Sequence, residues 1–417
     1  MTTNSNTSGK KIDEFILLDI LGKGNFGEVY LAKNTIDSSI CAAKSIKQKD
    51  PNLDFLMREV PVLKNVNHKN IVKFICVKET VNNVYIFIEY CNGGELAKAL
   101  EDYKSANKRP FPEELVVYII KQLVDALYYL HTKKIIHRDI KLENILLNYV
   151  DNNMDLFKAQ IKLIDFGFAK KLGNEDMTYS ICGTAATSDP RIINAMKDKK
   201  GIKGGYDDKI DIWSLGVILY NLLVGELPFQ GDSLDILTTK INQGTYFIPE
   251  NISLSVEAIC MINGLLQTDP SKRLSWKEII SHPFINTDPK NFRKIHLNNN
   301  NKSKDIMISA KNQDISKQLW AMFDNKVNLD LKGIINLKDE SISKIFPMIP
   351  NEPLIKKDSK FPEFPQENNV YGYKPSFDEI AELPELPDIP KNEVKRDNSK
   401  DKVINSPKVL IYNMSLI

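Results

Sequence analysis

A surplus of either charge is the first thing this sequence lacks. Its 56 Lys and Arg stand against 54 Asp and Glu, a net charge of +2 over 417 residues, so no global field favours nucleic acid or an anionic membrane as partner. Any function that depends on charge must be local. Cysteine is scarce as well. Cys41, Cys76, Cys91, Cys182 and Cys260 are scattered and never in Cys-x-x-Cys spacing, which predicts free thiols in a reducing compartment and argues against a zinc centre. Long apolar runs are missing too: the most apolar segment, Leu115 to Leu130, is interrupted by Lys121 and Asp125, short of the roughly 18 residues a membrane span needs. The opening MTTNSNTSGKK has no apolar stretch like that of a signal peptide, and it carries Thr2 where myristoylation needs glycine. Together these absences predict a cytosolic or nuclear chain without a membrane span.

Glycine is nearly absent from the last third, since 17 of 19 lie before position 265 and only Gly333 and Gly372 follow. Tight backbone geometry therefore belongs to the first part. Proline shows the reverse bias, with nine of 20 between Pro347 and Pro390, a stretch that reads as extended and solvated. The Asn/Lys-rich run from His296 to Asp305 reads as a linker. What is present is ordinary core material: 42% hydrophobic and 26% charged residues exclude wholesale disorder, collagen and a small disulfide scaffold. The length exceeds the roughly 250 to 300 residues at which one core stops growing, so more than one structural unit is expected. We place a short disordered N-terminus at 1–10, a β-rich lobe at 11–91 and a helical lobe at 92–286. The tail at 287–417 is expected to be mostly disordered with short helices, one of them over Asp314 to Phe323.

Within the first lobe, FILLDILGKGNFGEVYLAK, SICAAKSI and VYIFIEY read as strands. Leu53, Leu56, Met57, Val60 and Leu63 have helical spacing, with Pro61 placed to shorten or kink that helix. In the second lobe, Leu115 to Leu130 marks a long amphipathic helix with Pro112 in its first turn, and Ile210 to Leu223 a buried one.

Three constellations carry chemistry. In Leu21-Gly22-Lys23-Gly24-Asn25-Phe26-Gly27 the spaced glycines alone could be a hairpin turn; because EVYLAK alternates like a strand afterwards, the loop fits a flap over phosphates better than a dinucleotide fold. The second is Lys44 in an apolar strand, which either snorkels to solvent or pairs with Glu59 on the following helix and presents a fixed cation to an anion. In the third, Asp139, Lys141 and Asn144 precede Asp165-Phe166-Gly167, supplying the carboxylates, amine and amide oxygen that magnesium and phosphate transfer require. No cysteine or histidine is needed as a nucleophile, and His137 fits packing beneath Phe166.

In order and approximate spacing, these residues resemble the eukaryotic protein kinase family over about 275 residues. The resemblance implies an α+β bilobal protein kinase fold with ATP and Mg2+ as cofactors. It also implies that Gly22, Gly24 and Gly27 cover the ATP phosphates and that Val29, Ala42 and Leu146 sandwich adenine. The backbone of Glu89 and Cys91 would bond the adenine edge, with Ile88 as gatekeeper. Lys44, paired with Glu59, would hold the α- and β-phosphates. Asp139 would accept or orient the substrate hydroxyl, Lys141 would contact the γ-phosphate, and Asn144 and Asp165 would bind magnesium. Lys141 and Thr184 resemble the serine/threonine type, and IEYCNGGEL and IIHRDIKLENILL resemble the calmodulin-dependent and Ulk-like groups.

Arg138 beside Asp139 marks the class activated by phosphorylation of the segment Met177 to Thr184, with Ser180 at the usual site. The pattern breaks after it. Where the family has Ala-Pro-Glu, this chain reads Asp189-Pro190-Arg191, and the glutamate's arginine partner aligns with Arg273. We expect Asp189 to bend in to meet Arg273 while Arg191 turns to solvent. A lysine-rich insert, Met196 to Gly205, delays Asp211, the expected anchor of the catalytic-loop backbone. The sequence thus predicts a serine/threonine kinase acting on protein substrates, with docking partners for its tail. The alternatives are a pseudokinase scaffold, suggested by Arg191, and a kinase of a small metabolite.

Overall fold

The computed structural model describes residues 9–24, 27–151, 154–171, 185–198, 207–249, 251–292 and 306–309. Asn25, Phe26, Cys182, Ser180 and Thr184, most of the lysine-rich insert and the helix expected at 314–323 lie outside the described residues.

The N-terminal lobe is a six-stranded antiparallel sheet. It comprises β1 (Lys11–Ile12), β2 (Phe15–Gly24), β3 (Gly27–Asn34), β4 (Ile40–Lys47), β5 (Phe74–Glu79) and β6 (Asn83–Glu89), in the order β1-β2-β3-β4-β6-β5. Alternation along each strand sorts its side chains between two faces. Phe15, Leu17, Tyr30, Ala32, Cys41, Ala43, Tyr85 and Phe87 build one apolar cluster; Ile46, Val84 and Ile86 build another with Val60 from the helical connection. The register sets Val29 opposite Lys44, Lys44 opposite Ile86 and Ala42 opposite Ile88. Those five residues therefore share the second face.

The expected helix at 53–64 is two pieces, α1 (Leu53–Met57) and α2 (Glu59–Lys64). Pro61 is the reason. It cannot donate to the carbonyl of Met57 and its ring crowds that position, so the first helix ends there and Pro61 falls in the first turn of the second. The restart buries Glu59, Val60 and Leu63 against the sheet.

The second lobe begins with α3 (Leu96–Asn107) and α4 (Glu113–Thr132), followed by β7 (Ile135–Ile136), β8 (Ile145–Asn148), β9 (Gln160–Leu163) and β10 (Lys170–Lys171). Pro112 is the N-cap of α4, with an extended ψ of 149°, and not a first-turn residue; Glu113 and Glu114 in that turn complement the helix dipole. Strands β8 and β9 form one ribbon and β7 and β10 another. Next come α5 (Pro190–Asp198), α6 (Lys209–Val224), α7 (Leu234–Gln243), β11 (Thr245–Ile248), α8 (Val256–Leu265), α9 (Trp276–Ser281) and α10 (Pro283–Asn286). Helix α6 is buried on nearly all sides, as its uniform apolarity requires. It meets α8 closely at Gly216, where a Cβ would lie 2.8 Å from that of Leu265.

One tail segment has a structure the sequence did not suggest. Residues Ile306–Ser309 form β12, antiparallel to β11, with Ile306 opposite Ile248 and Ile308 opposite Tyr246. The four residues Ile-Met-Ile-Ser suit a strand, but they are too few to stand out beside an Asn/Lys-rich linker.

Candidate active site

The β4 strand delivers Lys44 to the face it shares with Val29 and Ala42. Its Nζ lies 3.0 Å from Glu59 Oε2 and 4.0 Å from Asp165 Oδ1. Burial works against the charged amine, but Glu59 and Asp165 outweigh it and hold the Lys44 pKa above its ordinary value. The snorkelling alternative is thereby set aside. The other Glu59 oxygen accepts the Phe166 N–H at 3.3 Å, so one buried carboxylate joins the lysine to the Asp165-Phe166-Gly167 turn.

The loop between β7 and β8 carries the second group. Lys141 Nζ lies 3.1 Å from Asp139 Oδ2, and both side chains are almost fully buried. The Asn144 amide donates to Asp139 Oδ2 at 3.0 Å and to the Asp139 carbonyl at 2.8 Å, which leaves Oδ1 as the amide's acceptor. Asp211 on α6 anchors this loop by accepting the backbone N–H groups of His137 at 2.8 Å and Arg138 at 2.9 Å. That anchorage matters because Arg138 has φ +70°. A left-handed non-glycine residue costs on the order of 1 to 3 kcal/mol and persists where surrounding bonds over-determine it. The His137 ring packs edge-on to Phe166 with centroids 4.8 Å apart, and its Nε2 is 2.9 Å from the Ile164 carbonyl oxygen. It is a support, as its place in the sequence implied.

Of the residues expected around adenine, Val29, Ala42 and Ile88 share the sheet face with Lys44. Leu146 lies on β8, and Glu89 and Cys91 end β6 and follow it. Burial pushes the Cys91 thiol up to about 12, so it is no nucleophile at neutral pH. Leu21, Gly22, Lys23 and Gly24 end β2, and Gly27 opens the antiparallel β3, which is the hairpin arrangement expected of the flap. Gly27 is obligatory: its φ is +124° and a Cβ would fall 1.9 Å from the Ser45 carbonyl oxygen.

Chemistry and geometry here point one way, and the sequence matches the protein kinase domain over residues 15–285. This chain belongs to the protein kinase family. It is 34% identical over 290 residues to myosin light chain kinase A of Dictyostelium discoideum, an alignment covering 68% of this chain and 92% of that protein. It is 32% identical over 283 residues to serine/threonine-protein kinase ULK3 of Xenopus laevis, covering 67% of this chain and 56% of the relative. It is 36% identical over 270 residues to an Aurora kinase of Candida glabrata, covering 64% and 69%. The chain is a serine/threonine protein kinase by family and by these relatives. A kinase of this family acts on protein substrates with ATP and a divalent metal. Among the described residues, no helix is long and apolar enough to cross a membrane.

The departure from the kinase pattern has a structural answer. Asp189 Oδ2 meets Arg273 Nη1 at 2.6 Å, both side chains fully buried, as expected. Asp189 Oδ1 also accepts the Arg191 N–H at 2.8 Å, capping α5 ahead of Pro190. The expectation for Arg191 needs correcting. Its side chain is only 23% exposed and bridges two carboxylates: Nε lies 3.0 Å from Asp189 Oδ1 and Nη2 2.8 Å from Asp207 Oδ1. A second cation beside Asp189 is tolerable because Asp207 supplies a second anion, and the chain alternates Arg273, Asp189, Arg191, Asp207. Burial alone would raise the Asp189 carboxyl; Arg273 and Arg191 more than offset that and hold it below the usual carboxylate range. Arg273 is further fixed by the Gln267 carbonyl at 3.0 Å and by the Trp213 ring at 5.0 Å.

Sequence reasoning missed Lys162, which is buried on β9 and pairs with Glu89, and Asn70, fully buried with its amide on Gln122 and the Ile161 carbonyl. The signal for Lys162 was a lone cation between Ile161 and Leu163. Asn70 carried none, because an Asn after His68-Lys69 reads as an ordinary turn.

Proposed function

We propose that this kinase transfers the γ-phosphate of ATP, with Mg2+, to serine or threonine hydroxyls and is switched on by phosphorylation at Ser180. The observation that carries the reading is a pair of arrays, Lys44 with Glu59 and Asp165, and Asp139 with Lys141 and Asn144; the Ile164 N–H, next to Asp165, donates to the Asn144 carbonyl at 3.0 Å and ties the two together. Asn144 and Asp165 fit magnesium. The described residues contain no cluster of three or more His, Cys, Asp or Glu, and Mg2+ is commonly held by one or two protein oxygens together with substrate phosphates. When bound, the ion would supply positive charge against the phosphate groups of the nucleotide.

The protein's own groups do the rest. Lys44, kept charged by Glu59, holds the α- and β-phosphates. Asp139 orients the substrate hydroxyl and takes its proton as the new O–P bond forms and the bond to ADP breaks. Lys141, 3.1 Å from Asp139, places a cation where the transferring group gathers negative charge. Arg138 supports the proposed switch: it adjoins Asp139, its Nε donates to the Phe168 carbonyl, and a phosphate on Ser180 would supply an anion for its guanidinium.

Radiolabelled ATP and a generic protein substrate test the transfer. Wild type should label the substrate and Asp165→Ala should not; equal signal sinks the reading. EDTA should abolish labelling and excess Mg2+ restore it. Ser180→Ala should lower activity severalfold and remove the segment's phosphate, and wild-type kinetics in a fully unphosphorylated enzyme would defeat the switch.

A further inference from the structure

We propose that Lys162 is a positioning residue for the nucleotide, locking the backbone that takes the base to β9, the strand that leads into Asp165. This rests on the nucleotide site just proposed. Lys162 is 6% exposed, in the middle of β9 between the fully buried Ile161 and Leu163. A lysine so placed needs a partner for its buried amine. That partner is Glu89, whose Oε1 lies 2.7 Å and Oε2 2.9 Å from Nζ.

Glu89 is the last residue of β6, and its main chain begins the segment assigned to the adenine edge. It is held from three directions. Lys162 grips both carboxylate oxygens, the Lys73 N–H donates to Oε2 at 3.1 Å, and the Glu89 N–H donates to the Lys73 carbonyl at 2.9 Å. The stretch from Asn70 to Lys73 is itself tied to β9, because the Leu163 N–H donates to the Asn70 carbonyl at 2.9 Å and the Val72 N–H to the Leu163 carbonyl at 3.0 Å. A closed circuit results, running from β9 to residues 70–73, to Glu89, and back through Lys162.

The circuit spans both ends of the proposed ATP site. Lys162 lies opposite Leu146, one wall of the adenine slot, and three residues before Asp165. Buried ion pairs are poor evidence of net stability but can fix one arrangement among several. Here the fixed quantity is the spacing between the base-binding backbone and the metal-binding carboxylate. A loosened circuit leaves the chemical groups intact and lowers the fraction of protein ready to take nucleotide.

The test uses the full chain with Lys162→Met, Lys162→Arg and Glu89→Gln. It reads KM for ATP, KM for the protein substrate, kcat, and Kd for Mg·ADP by titration calorimetry. Lys162→Met and Glu89→Gln should raise KM for ATP and Kd for Mg·ADP about 5- to 10-fold, leaving KM for the protein substrate within twofold. Lys162→Arg, which can still fork onto Glu89, should stay near wild type. Nucleotide affinity unchanged or tightened in Lys162→Met, whatever its melting temperature, overturns the proposal, as does Lys162→Arg behaving like Lys162→Met. If Lys162→Met fails to fold, Glu89→Gln carries the same readings. Failure here leaves the Asp165→Ala result standing, so it is distinguishable from failure of the functional reading.

Discussion

The nucleotide site and the end of the segment before α5 are both built on buried charge, yet they treat the kinase pattern oppositely. Around Lys44, Glu59, Asp139, Asn144 and Asp165 every expected residue type stands at its expected position. At Asp189-Pro190-Arg191 the carboxylate has moved two places and an arginine occupies its usual position. The difference lies in what each place asks of a side chain. Phosphoryl transfer needs particular atoms at particular points in space. The buried Arg273 needs only a compensating anion with satisfied hydrogen bonds, and a nearby backbone position can supply it. Asp189 does so from the cap of α5, where its shorter side chain still comes within 2.6 Å of the guanidinium.

The contrast is open to attack from both sides. The largest effect should come from the chemical side: Asp139→Asn keeps an isosteric partner for Lys141 and Asn144 but removes the proton acceptor, and kcat should fall about 10²- to 10⁴-fold. Its melting temperature should stay within about 3 °C of wild type, as differential scanning fluorimetry would show. On the structural side, Asp189→Ala leaves Arg273 buried without its counterion. It should cost about 3 to 5 kcal/mol, read as a fall in melting temperature on the order of 10 °C, with KM for ATP nearly unchanged; a wild-type melting curve would refute the rescue. Arg191→Ala, at a partly exposed position, should cost only about 1 kcal/mol, and Asp207→Ala, 47% exposed, about half that. If Asp207→Ala proves as harmful as Asp189→Ala, the cluster is one indivisible unit and the comparison must be redrawn.

The finest probe is pH. The folded Asp189 carboxyl titrates below its ordinary value of about 3.8, so the stabilisation it brings is complete above that value and disappears as pH falls through the folded one. The melting gap between wild type and Asp189→Ala should therefore be flat from pH 5 to 8 and narrow below about pH 4.

Most of this was legible because it depends on local chemistry. The strand alternation around Lys44, the glycine spacing in Gly22-Lys23-Gly24-Asn25-Phe26-Gly27, and the Asp139 and Asp165 strings each carry their reason within a few residues. Pro61 announced its break in the same way. The exposure expected for Arg191 missed because the outcome hinged on Asp207, 16 residues away across the insert, which no local pattern links to it. Lys162 was passed over for a related reason: its meaning lies in Glu89, 73 residues earlier, and only the fold brings the two together. The β11–β12 pairing is likewise non-local, joining Ile306–Ser309 to a strand that precedes it by more than fifty residues.

The bridge from Arg191 to Asp207 has one more consequence, for what this chain can tolerate. It ties the first turn of α5 to Asp207, just ahead of α6, and so closes the 16-residue stretch between them. Lengthening such a closed loop costs little, roughly 0.6 kcal/mol per doubling. Residues gained or lost between Asp198 and Asp207 should therefore disturb the Asp189 cluster and the nucleotide site little.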